Sequence, residues 1–347
     1  MAIVAEPPYL VVADHKNKQT TPMIFSRFIA TSMTFCLLAT AAHAQSAEGF
    51  SSWLDDFKSR AAAQGIQSSV IESALTGVEL NERVLALDQK QPEGKISFTQ
   101  YLRNTVSPER IRKGREMMRT HHAVLKKISE QYGVPAKYIV ALWGIESNYS
   151  GFQGNFSVVE SLATLAYEGR RAEFFSNELL AAFKIITVEK IEPSTLTGSW
   201  AGAMGGCQFM PSTYLKYAAD GDGDGHRDIW QNPADVMAST ANYLSGLGWD
   251  KSIAWGKNVK FPDDFKPEEA DIKHARSKDE WRKRGIKLAG GKTLPGANIN
   301  LYAIYPGTPD EGEYLVSENF QRLLQWNYSR YFATAVGILA DHIGDPS

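Results

Sequence analysis

Three things are scarce in this chain of 347 residues: cysteine, long apolar runs and net charge. No apolar run of about 18 residues or more follows position 45, which argues against a membrane-spanning body. The 37 Lys and Arg residues nearly balance the 39 Asp and Glu residues, so the formal net charge is only -2. No global positive field is available to attract phosphate backbones, and we do not expect a nucleic-acid partner. The 43% of hydrophobic residues suffices for one or two domains with their own cores.

The start of the chain has the pattern of an export signal. Arg27 precedes an apolar stretch from about Phe28 to Ala42, and Ala42-His43-Ala44 forms an A-x-A exit. We therefore expect residues 1–44 to be an upstream extension followed by a secretory signal peptide, with Met23 or Met33 as the true start. The alternative is a short buried helix. A cleaved signal would place the mature protein in the periplasm.

The two cysteines lie on either side of this exit. Cys36 leaves with the signal, and because no Leu-rich box directly precedes it, we expect no lipid attachment. Cys207 then has no intramolecular partner, so the exported protein would work without disulfides. We expect the mature protein to be a monomer.

Hydrophobic spacing predicts a mainly helical (α+β) protein with a small β-containing insertion. Helical periodicity dominates before residue 250, whereas Pro, Gly, Lys and short alternating runs follow it. Ser107-Pro108 is a helix cap with a first-turn proline, and we expect His121 on the apolar stripe that follows to be a core residue. Further helices are expected at about 172–190, 211–219, 233–246 and 329–342. The predicted regions are a helical region over 45–133, a core over 134–250, a β and loop insertion over 251–316 and a C-terminal helical region over 317–347.

Glu146 is the candidate acid. It lies at the end of an otherwise apolar helix that opens at Pro135, just before a polar, Gly-rich loop. Apolar neighbours disfavour the charged form of a carboxyl group and keep it protonated near neutral pH, as a proton donor to a glycosidic oxygen requires. The alternative is a solvated Glu at a helix end, which is the commonest fate of glutamate.

A second string, GSWAGAMGGCQFMPSTYLKY (198–217), suits a sugar site. Its glycines allow close backbone approach, and Gln208 and Phe209 offer an amide and a flat apolar ring. A sugar presents hydroxyl groups at its rim and C–H groups on its faces. The alternative is a plain Gly-rich loop capped by Pro211.

Five segments between residues 144 and 249 carry a family resemblance and occur in the family's order. The segments are GIESNYSG (144–151), SLATLAY with RRAEFFSNEL (161–179), GSWAGAMGGCQFMPS (198–212), DGDGDGHRDIW (220–230) and ANYLSGLGW (241–249). The chain resembles the lytic transglycosylases of bacterial cell walls, in particular the membrane-bound lytic transglycosylase B family, glycoside hydrolase family 103. Similarity is weaker over about 50–130 and at WNYSRYFATAV (326–336).

The resemblance implies a lysozyme-like catalytic core over 134–250 that acts on peptidoglycan glycan strands. Glu146 would be the single acid/base. Trp326 and Phe332 fall where the family has sugar-stacking tyrosines, so each keeps an aromatic face but lacks a phenolic hydroxyl. The residues expected to contact the saccharide are Ser199, Gln208, Phe209, Tyr243, Trp326 and Phe332.

The implied mechanism uses one carboxylate rather than a pair. Ordinary glycosidases use two carboxylates, yet Glu160, Glu168 and Glu173 all lie in segments typical of an amphipathic helix surface. By the resemblance, Glu146 protonates the leaving oxygen and then helps the muramyl 6-hydroxyl close onto its own anomeric carbon, consuming no water and no cofactor. The alternatives are a hydrolytic muramidase and a non-catalytic peptidoglycan-binding scaffold. Partners among the cell-wall synthesis or division proteins stay open.

The Asp-Gly run fits the front half of a calcium loop. Asp220, Asp222, Asp224, His226 and Asp228 occupy loop positions 1, 3, 5, 7 and 9, with His226 offering only its backbone carbonyl. Position 12 holds Gln231 instead of glutamate, and position 8 holds Arg227. The family closes its loop with a later aspartate, which implies Asp235 as the last ligand. A structural Ca²⁺ is therefore expected, with a solvated Asp-Gly turn as the alternative.

Overall fold

The fold is taken from a computed structural model that describes residues 47–90 and 96–344. The predicted signal peptide lies outside the described residues. Among the described residues, no helix combines the length and the apolar character needed to cross a membrane. The expectation of a mainly helical protein is confirmed: helices make up most of the described chain, and a single small sheet occupies the region expected to be the insertion.

In the described part of the chain, six helices precede the centre of the molecule. Three of them begin at side-chain caps, of which the sequence predicts Ser107: Asn81, Ser97 and Ser107 each accept a hydrogen bond from the backbone N–H three residues later. The six helices are α1 (Ala47–Ala63), α2 (Ser68–Leu75), α3 (Glu82–Gln89), α4 (Phe98–Thr105), α5 (Pro108–Thr120) and α6 (His122–Tyr132).

The apolar stripe through His121 is divided between two helices, where the sequence indicates one. His121 has φ -103° and ψ 18°, so it ends α5 and precedes α6 instead of continuing a helix. Its ring is half-buried and meets the ring of Trp143 edge-on, with centroids 5.9 Å apart. Burial lowers the pKa of this imidazole. Periodicity continues across the break because both helices pack on the same central helix, α7 (Ala136–Ser147).

Helix α7 is the centre of the molecule. Ten of its twelve residues are buried, so it is apolar on all sides rather than along one stripe. Two short strands form an antiparallel pair beside the following helices, with Phe156 opposite Gly198. These elements are β1 (Phe156–Ser157), α8 (Val158–Glu168), α9 (Ala172–Glu189), β2 (Thr197–Gly198), α10 (Pro211–Tyr217) and α11 (Pro233–Gly246).

The insertion is a five-stranded antiparallel sheet with one short helix. In order across the sheet, the strands are Arg276–Ser277, Asn300–Ile304, Tyr314–Val316, Gly256–Lys260 and Lys287–Leu288. The sheet encloses a second, smaller core around Phe261, Trp281 and Leu315. Two helices then return to the main core. The elements are β3 (Gly256–Lys260), β4 (Arg276–Ser277), α12 (Lys278–Lys283), β5 (Lys287–Leu288), β6 (Asn300–Ile304), β7 (Tyr314–Val316), α13 (Glu318–Trp326) and α14 (Arg330–Ile343).

Candidate active site

Glu146 lies in the last turn of α7, where the chain leaves the helix abruptly. The next three residues after Ser147 have positive φ angles, at 52° for Asn148, 60° for Tyr149 and 59° for Ser150. Residues other than glycine rarely adopt this left-handed region, and each such residue costs roughly 1–3 kcal/mol. Three in succession need strong support from the surrounding structure.

Side chains on both sides of the turn provide that support. The Tyr149 hydroxyl donates to the Arg110 carbonyl at 2.8 Å, and its ring covers Gly144, where a Cβ would lie 2.6 Å from Tyr149 Cζ. Trp143 Nε1 donates to Ser150 Oγ at 2.9 Å. Ser147 Oγ donates to the Gly206 carbonyl at 2.8 Å, which ties the turn to the Gly-rich string. These contacts hold the turn at the end of GIESNYS (144–150) in place. They thereby fix the last turn of α7 and the position of Glu146.

The Glu146 carboxyl group is only partly exposed and has one hydrogen-bond partner among the described residues. Trp326 Nε1 donates to Glu146 Oε1 at 2.6 Å. Burial raises the pKa of Glu146 from 4.5 to about 8, against the opposing effect of the Trp326 hydrogen bond. Glu146 is therefore protonated at neutral pH, as the sequence predicts for a general acid.

Four rings form an aromatic cluster next to this carboxyl group, namely Phe209, Tyr217, Tyr243 and Trp326. The ring of Tyr243 stacks on Tyr217 with centroids 4.4 Å apart and lies 4.7 Å from Trp326. Phe209 meets Tyr243 edge-on at 5.5 Å and Trp326 at 5.6 Å. The pKa of Tyr243 is raised to about 12, mainly by burial, so its phenol stays neutral. The structure thus brings Phe209, Tyr243 and Trp326 together beside Glu146.

The Gly-rich segment (residues 198–210) is buried along its whole length except at Ser199. Its backbone folds back on itself through bridges from Met204 to Gly198 and to Phe209. A Cβ at Gly198 would lie 2.3 Å from the Ala203 carbonyl oxygen, and one at Gly205 would lie 2.5 Å from the Ile229 carbonyl oxygen. Glycine is needed here because backbone packs directly against backbone.

Gln208 and Ser199 take fixed positions on this segment. Gln208 Nε2 donates to the carbonyls of Gln153 at 3.1 Å and Gly205 at 2.9 Å. Both amide hydrogens are therefore used internally, and the amide oxygen has no hydrogen bond within the described residues. Ser199 Oγ accepts from the Ala203 N–H at 3.0 Å, which leaves its own proton for an acceptor. One free acceptor and one free donor are suitable groups for binding sugar hydroxyls.

Phe332 does not join the aromatic cluster. It lies on α14 with 4% of its surface exposed, and none of the described ring contacts links it to Phe209, Tyr243 or Trp326. Trp326 is also buried, with 1% exposed, so neither residue offers the open ring face expected from the family pattern. The structure thus places these two residues in the packed wall of the site.

Tyr101 of α4 is a site residue that the sequence does not indicate. Burial and the nearby charge of Glu146 both raise its pKa to about 12. Its ring lies 5.6 Å from that of Tyr331. Tyr101 in the polar helix FTQYLRNT gives little signal, because the packing of α4 against α14 is what brings it near Glu146.

Comparison with known proteins decides the family. The model of the transglycosylase SLT domain matches residues 49–341, which is most of the chain. The chain belongs to the transglycosylase SLT family. It is 36% identical over 260 residues to membrane-bound lytic murein transglycosylase B of Escherichia coli strain K12, covering 71% of this chain and 68% of that protein.

Two solved structures of family members share the fold. SltB3 from Pseudomonas aeruginosa in complex with NAG-anhNAM-pentapeptide superposes with a TM-score of 0.81 at 40% identity, covering 84% of this chain and 78% of that chain. The Escherichia coli lytic transglycosylase Slt35 in complex with calcium superposes with a TM-score of 0.71 at 27% identity, covering 85% and 92%. The lysozyme-like fold expected from the sequence is confirmed by these neighbours.

This family member has an acidic cluster where the sequence predicts a metal loop. Carboxylate oxygens of Asp220, Asp222 and Asp235 all lie within 4.8 Å of one another. Asp235 is buried and accepts hydrogen bonds from the N–H groups of Gly221 and Asp228, both at 2.7 Å, so it joins the two ends of the acidic loop (residues 220–228). Burial first, and then the charges of Asp222 and Asp220, raise the Asp235 pKa to about 6.

The carboxylate of Asp224, another predicted ligand, lies outside this cluster. Asp224 and His226 are exposed, and Asp224 Oδ1 accepts from the His226 N–H at 2.8 Å. Arg227, unusual at its loop position, pairs with Glu189 and lies over the Tyr214 ring at 5.3 Å, so its side chain anchors the loop to α9 and α10.

Proposed function

We propose that this chain is a peptidoglycan lytic transglycosylase that cuts the β-1,4 bond between N-acetylmuramic acid and N-acetylglucosamine, with Glu146 as its acid/base. The observation that carries the proposal is a carboxyl group with a pKa of about 8 beside the aromatic cluster. A neutral carboxylic acid at pH 7 can donate its proton to a leaving oxygen. The complex of SltB3 with NAG-anhNAM-pentapeptide supports the same substrate class.

The surroundings of Glu146 favour one carboxylate over two. Retaining glycosidases hold their carboxyl groups about 5–5.5 Å apart, close enough to change each other's pKa. The titratable groups whose pKa responds to the Glu146 charge are Tyr101, Cys207 and Tyr243, and none of them is an acid of this kind. Among the other acids, Glu160 instead accepts a hydrogen bond from Asn81 at 3.0 Å.

The proposed reaction balances with Glu146 alone. Its proton passes to the glycosidic oxygen as the bond from that oxygen to C1 of the muramyl residue breaks. The muramyl 6-hydroxyl oxygen then bonds to C1 and returns its proton to Glu146, which restores the acid. The N-acetyl group of the sugar assists at C1 in place of a second carboxylate. No water enters, so each cut leaves a 1,6-anhydro-N-acetylmuramic acid end.

Mass spectrometry of muropeptides released from purified sacculi tests the proposal. Anhydro ends, one water lighter than hydrolysis products, are expected. Reducing ends carrying that water would make the enzyme a muramidase, and no release would leave a binding scaffold.

Replacing the acid tests its role directly. Glu146→Gln should lower turnover by roughly a thousandfold while retaining binding to sacculi, because the amide keeps the shape of the acid but cannot donate the required proton. Glu173→Gln, an exposed carboxylate on the first turn of α9, is the matched control and should keep wild-type activity. A Glu146→Gln rate above about a tenth of wild type would mean that another group is the acid.

We also propose a structural Ca²⁺ in the acidic loop. Oxygen atoms that bind one Ca²⁺ at about 2.3–2.6 Å lie no more than about 5 Å apart, as do those of Asp220, Asp222 and Asp235. Asp224 and the His226 carbonyl are the further proposed ligands. The calcium complex of Slt35 supports this site. The ion would join the loop to α11 through Asp235, while the chemistry at Glu146 requires no Lewis acid.

The proposed place of action is the periplasm, where the mature chain works as a monomer after removal of residues 1–44. Peptidoglycan as substrate and the A-x-A exit at Ala42-His43-Ala44 support it. N-terminal sequencing of the protein recovered from the periplasm should start at Gln45. A start before Met33 would contradict the predicted signal.

A further inference from the structure

The surroundings of Trp326 indicate a role other than sugar stacking. It is the last residue of α13, and its ring is 1% exposed between Phe209 and Tyr243. Packing on this scale leaves little ring surface for a sugar. Its one polar atom, Nε1, is instead directed at Glu146 Oε1, 2.6 Å away.

The chemistry of an indole restricts what this contact can do. An indole N–H donates and cannot accept, whereas a phenolic hydroxyl can do both. Glu146 Oε1 must therefore act as the acceptor in both protonation states of the carboxyl group. A carbonyl-type oxygen accepts better than the hydroxyl oxygen of a carboxylic acid, so the proton of neutral Glu146 resides on Oε2.

No other described group performs this role at Glu146. Tyr101 from α4, Tyr243 from α11 and Cys207 from the Gly-rich segment respond to its charge, but burial raises the pKa of each to about 12, so all three stay neutral. None of them has a described hydrogen bond to the carboxyl group.

The charged groups on the helices packed around α7 are directed elsewhere. Lys113 of α5 donates to the Asn148 carbonyl at 3.0 Å, and Arg110 of α5 donates to carbonyls at the end of α4. His121, between α5 and α6, faces Trp143. Asp341 of α14 pairs with Lys137 at the far end of α7, at 3.6 Å. Glu146 has no ion pair among the described residues.

We propose that Trp326 is a positioning residue that holds Glu146 Oε1 and thereby makes Oε2 the oxygen that delivers and recovers the catalytic proton. The inference rests on the proposed function, since it assigns the proton-transfer atom of the same acid. It also gives Trp326 an effect on proton affinity, because its N–H stabilises the carboxylate that burial disfavours.

The pH profile of turnover of a soluble peptidoglycan tetrasaccharide tests the proposal. Because Glu146 starts the reaction protonated, activity falls as pH rises through its pKa. Trp326→Phe removes the donor but keeps a ring, so the midpoint of this alkaline limb should move up by about one pH unit, the size expected for one hydrogen bond to a charged acceptor. We expect kcat to fall about tenfold with little change in KM, and Trp326→Tyr to restore the midpoint, at least in part.

Tyr243→Phe is the matched control, because it removes a hydroxyl group from the same aromatic cluster without touching the Glu146 hydrogen bond. Its alkaline midpoint should match that of wild type, whatever happens to KM. A Trp326→Phe variant with raised KM and an unmoved midpoint would show sugar stacking and overturn the proposal. Products with anhydro ends in every case would mean that the proposed function stands even if the positioning role fails.

A measurement on the wild-type protein covers the case in which Trp326→Phe does not fold. In a ¹⁵N–¹H spectrum, the Trp326 indole signal should shift with pH as Glu146 ionises, and Glu146→Gln should abolish that titration. The indole of Trp143, which donates to Ser150 Oγ at 2.9 Å, is the internal control and should follow no such curve. A Trp326 signal that stays constant from pH 6 to 10 would overturn the inference.

Discussion

Two neighbouring glycine-rich segments of this protein contain glycines that serve different purposes. In the Gly-rich segment, a Cβ at Gly205 would lie 2.5 Å from the Ile229 carbonyl oxygen. In the acidic loop, a Cβ at Gly223 or Gly225 would meet nothing within 4 Å, although both residues have φ of 90°. Gly205 brings two backbone segments into contact, whereas Gly223 and Gly225 are needed only for left-handed turns. Gly221, at the start of the acidic loop, is also a close-contact glycine, because a Cβ there would lie 2.2 Å from the Ala234 carbonyl oxygen.

The same two segments also affect carboxyl groups in opposite directions. Next to the buried segment, loss of water raises the pKa of Glu146 to about 8. In the exposed loop, N–H groups of Gly225 and Gly223 donate to Asp220 and lower its pKa. A buried glycine-rich wall thus favours a neutral acid that can give up a proton, whereas an exposed glycine-rich loop favours a carboxylate that can bind a cation.

The largest expected effect comes from adding one methyl group to each segment. Gly205→Ala should cost about 3 kcal/mol or more of unfolding free energy, because it adds a backbone clash to the strain of a positive φ. Gly223→Ala carries only the strain, about 1–2 kcal/mol. Urea denaturation of both variants measures the difference. Equal losses of unfolding free energy in the two variants would contradict the distinction between the two kinds of glycine.

A smaller effect is expected from calcium, and it should be confined to the acidic loop. Binding to the native state raises stability by about 2.7 kcal/mol at a hundred times the Kd, so excess Ca²⁺ should raise Tm relative to chelator. Asp220→Asn with Asp222→Asn should remove the shift. Asp263→Asn, an exposed acid in the insertion, is the matched control. Calorimetric transitions unaffected by Ca²⁺ in the wild-type protein would leave the loop as a solvated turn.

A third effect depends on pH and concerns the cost of keeping Glu146 buried. Its folded pKa, about 8, lies above its ordinary value of 4.5, so the native state binds the proton more tightly than the unfolded chain. Wild-type stability therefore declines as pH rises from about 4.5 to 8, and Glu146→Gln lacks this decline. The Tm of the variant relative to wild type should increase across that range. A constant difference between the two proteins would mean that Glu146 is solvated.

Much of the helix pattern was predictable because periodicity and caps are local. The expected helix over 233–246 coincides with α11, and the expected helix over 329–342 is shifted by one residue from α14. The break at His121 was not predictable, since α5 and α6 share one apolar stripe across it. Local spacing specifies which residues face inward, but it does not record where the backbone bends.

In the candidate site too, the features that depend on local sequence were predictable, whereas the contacts between distant residues were not. Glu146, Gln208 and Phe209 were indicated by their own neighbours in the sequence, and Asp235 by a family pattern. Tyr101 was missed, and Trp326 was predicted as a stacking face rather than a donor to Glu146. Their contacts with α7 join residues far apart in the chain, 180 positions apart for Trp326 and Glu146.

The amino-acid sequence by itself determined the helical class, the order of the elements, the family signature and the candidate acid. These properties depend on residue types and on spacings within one or two turns. Only the tertiary structure decided that Glu146 is neutral at pH 7, that Trp326 donates to it, and that Asp235 meets Asp220 and Asp222. Proton affinity and ligand grouping depend on how much water is excluded and on which distant side chains are brought within a few ångströms, and both arise only when the chain packs.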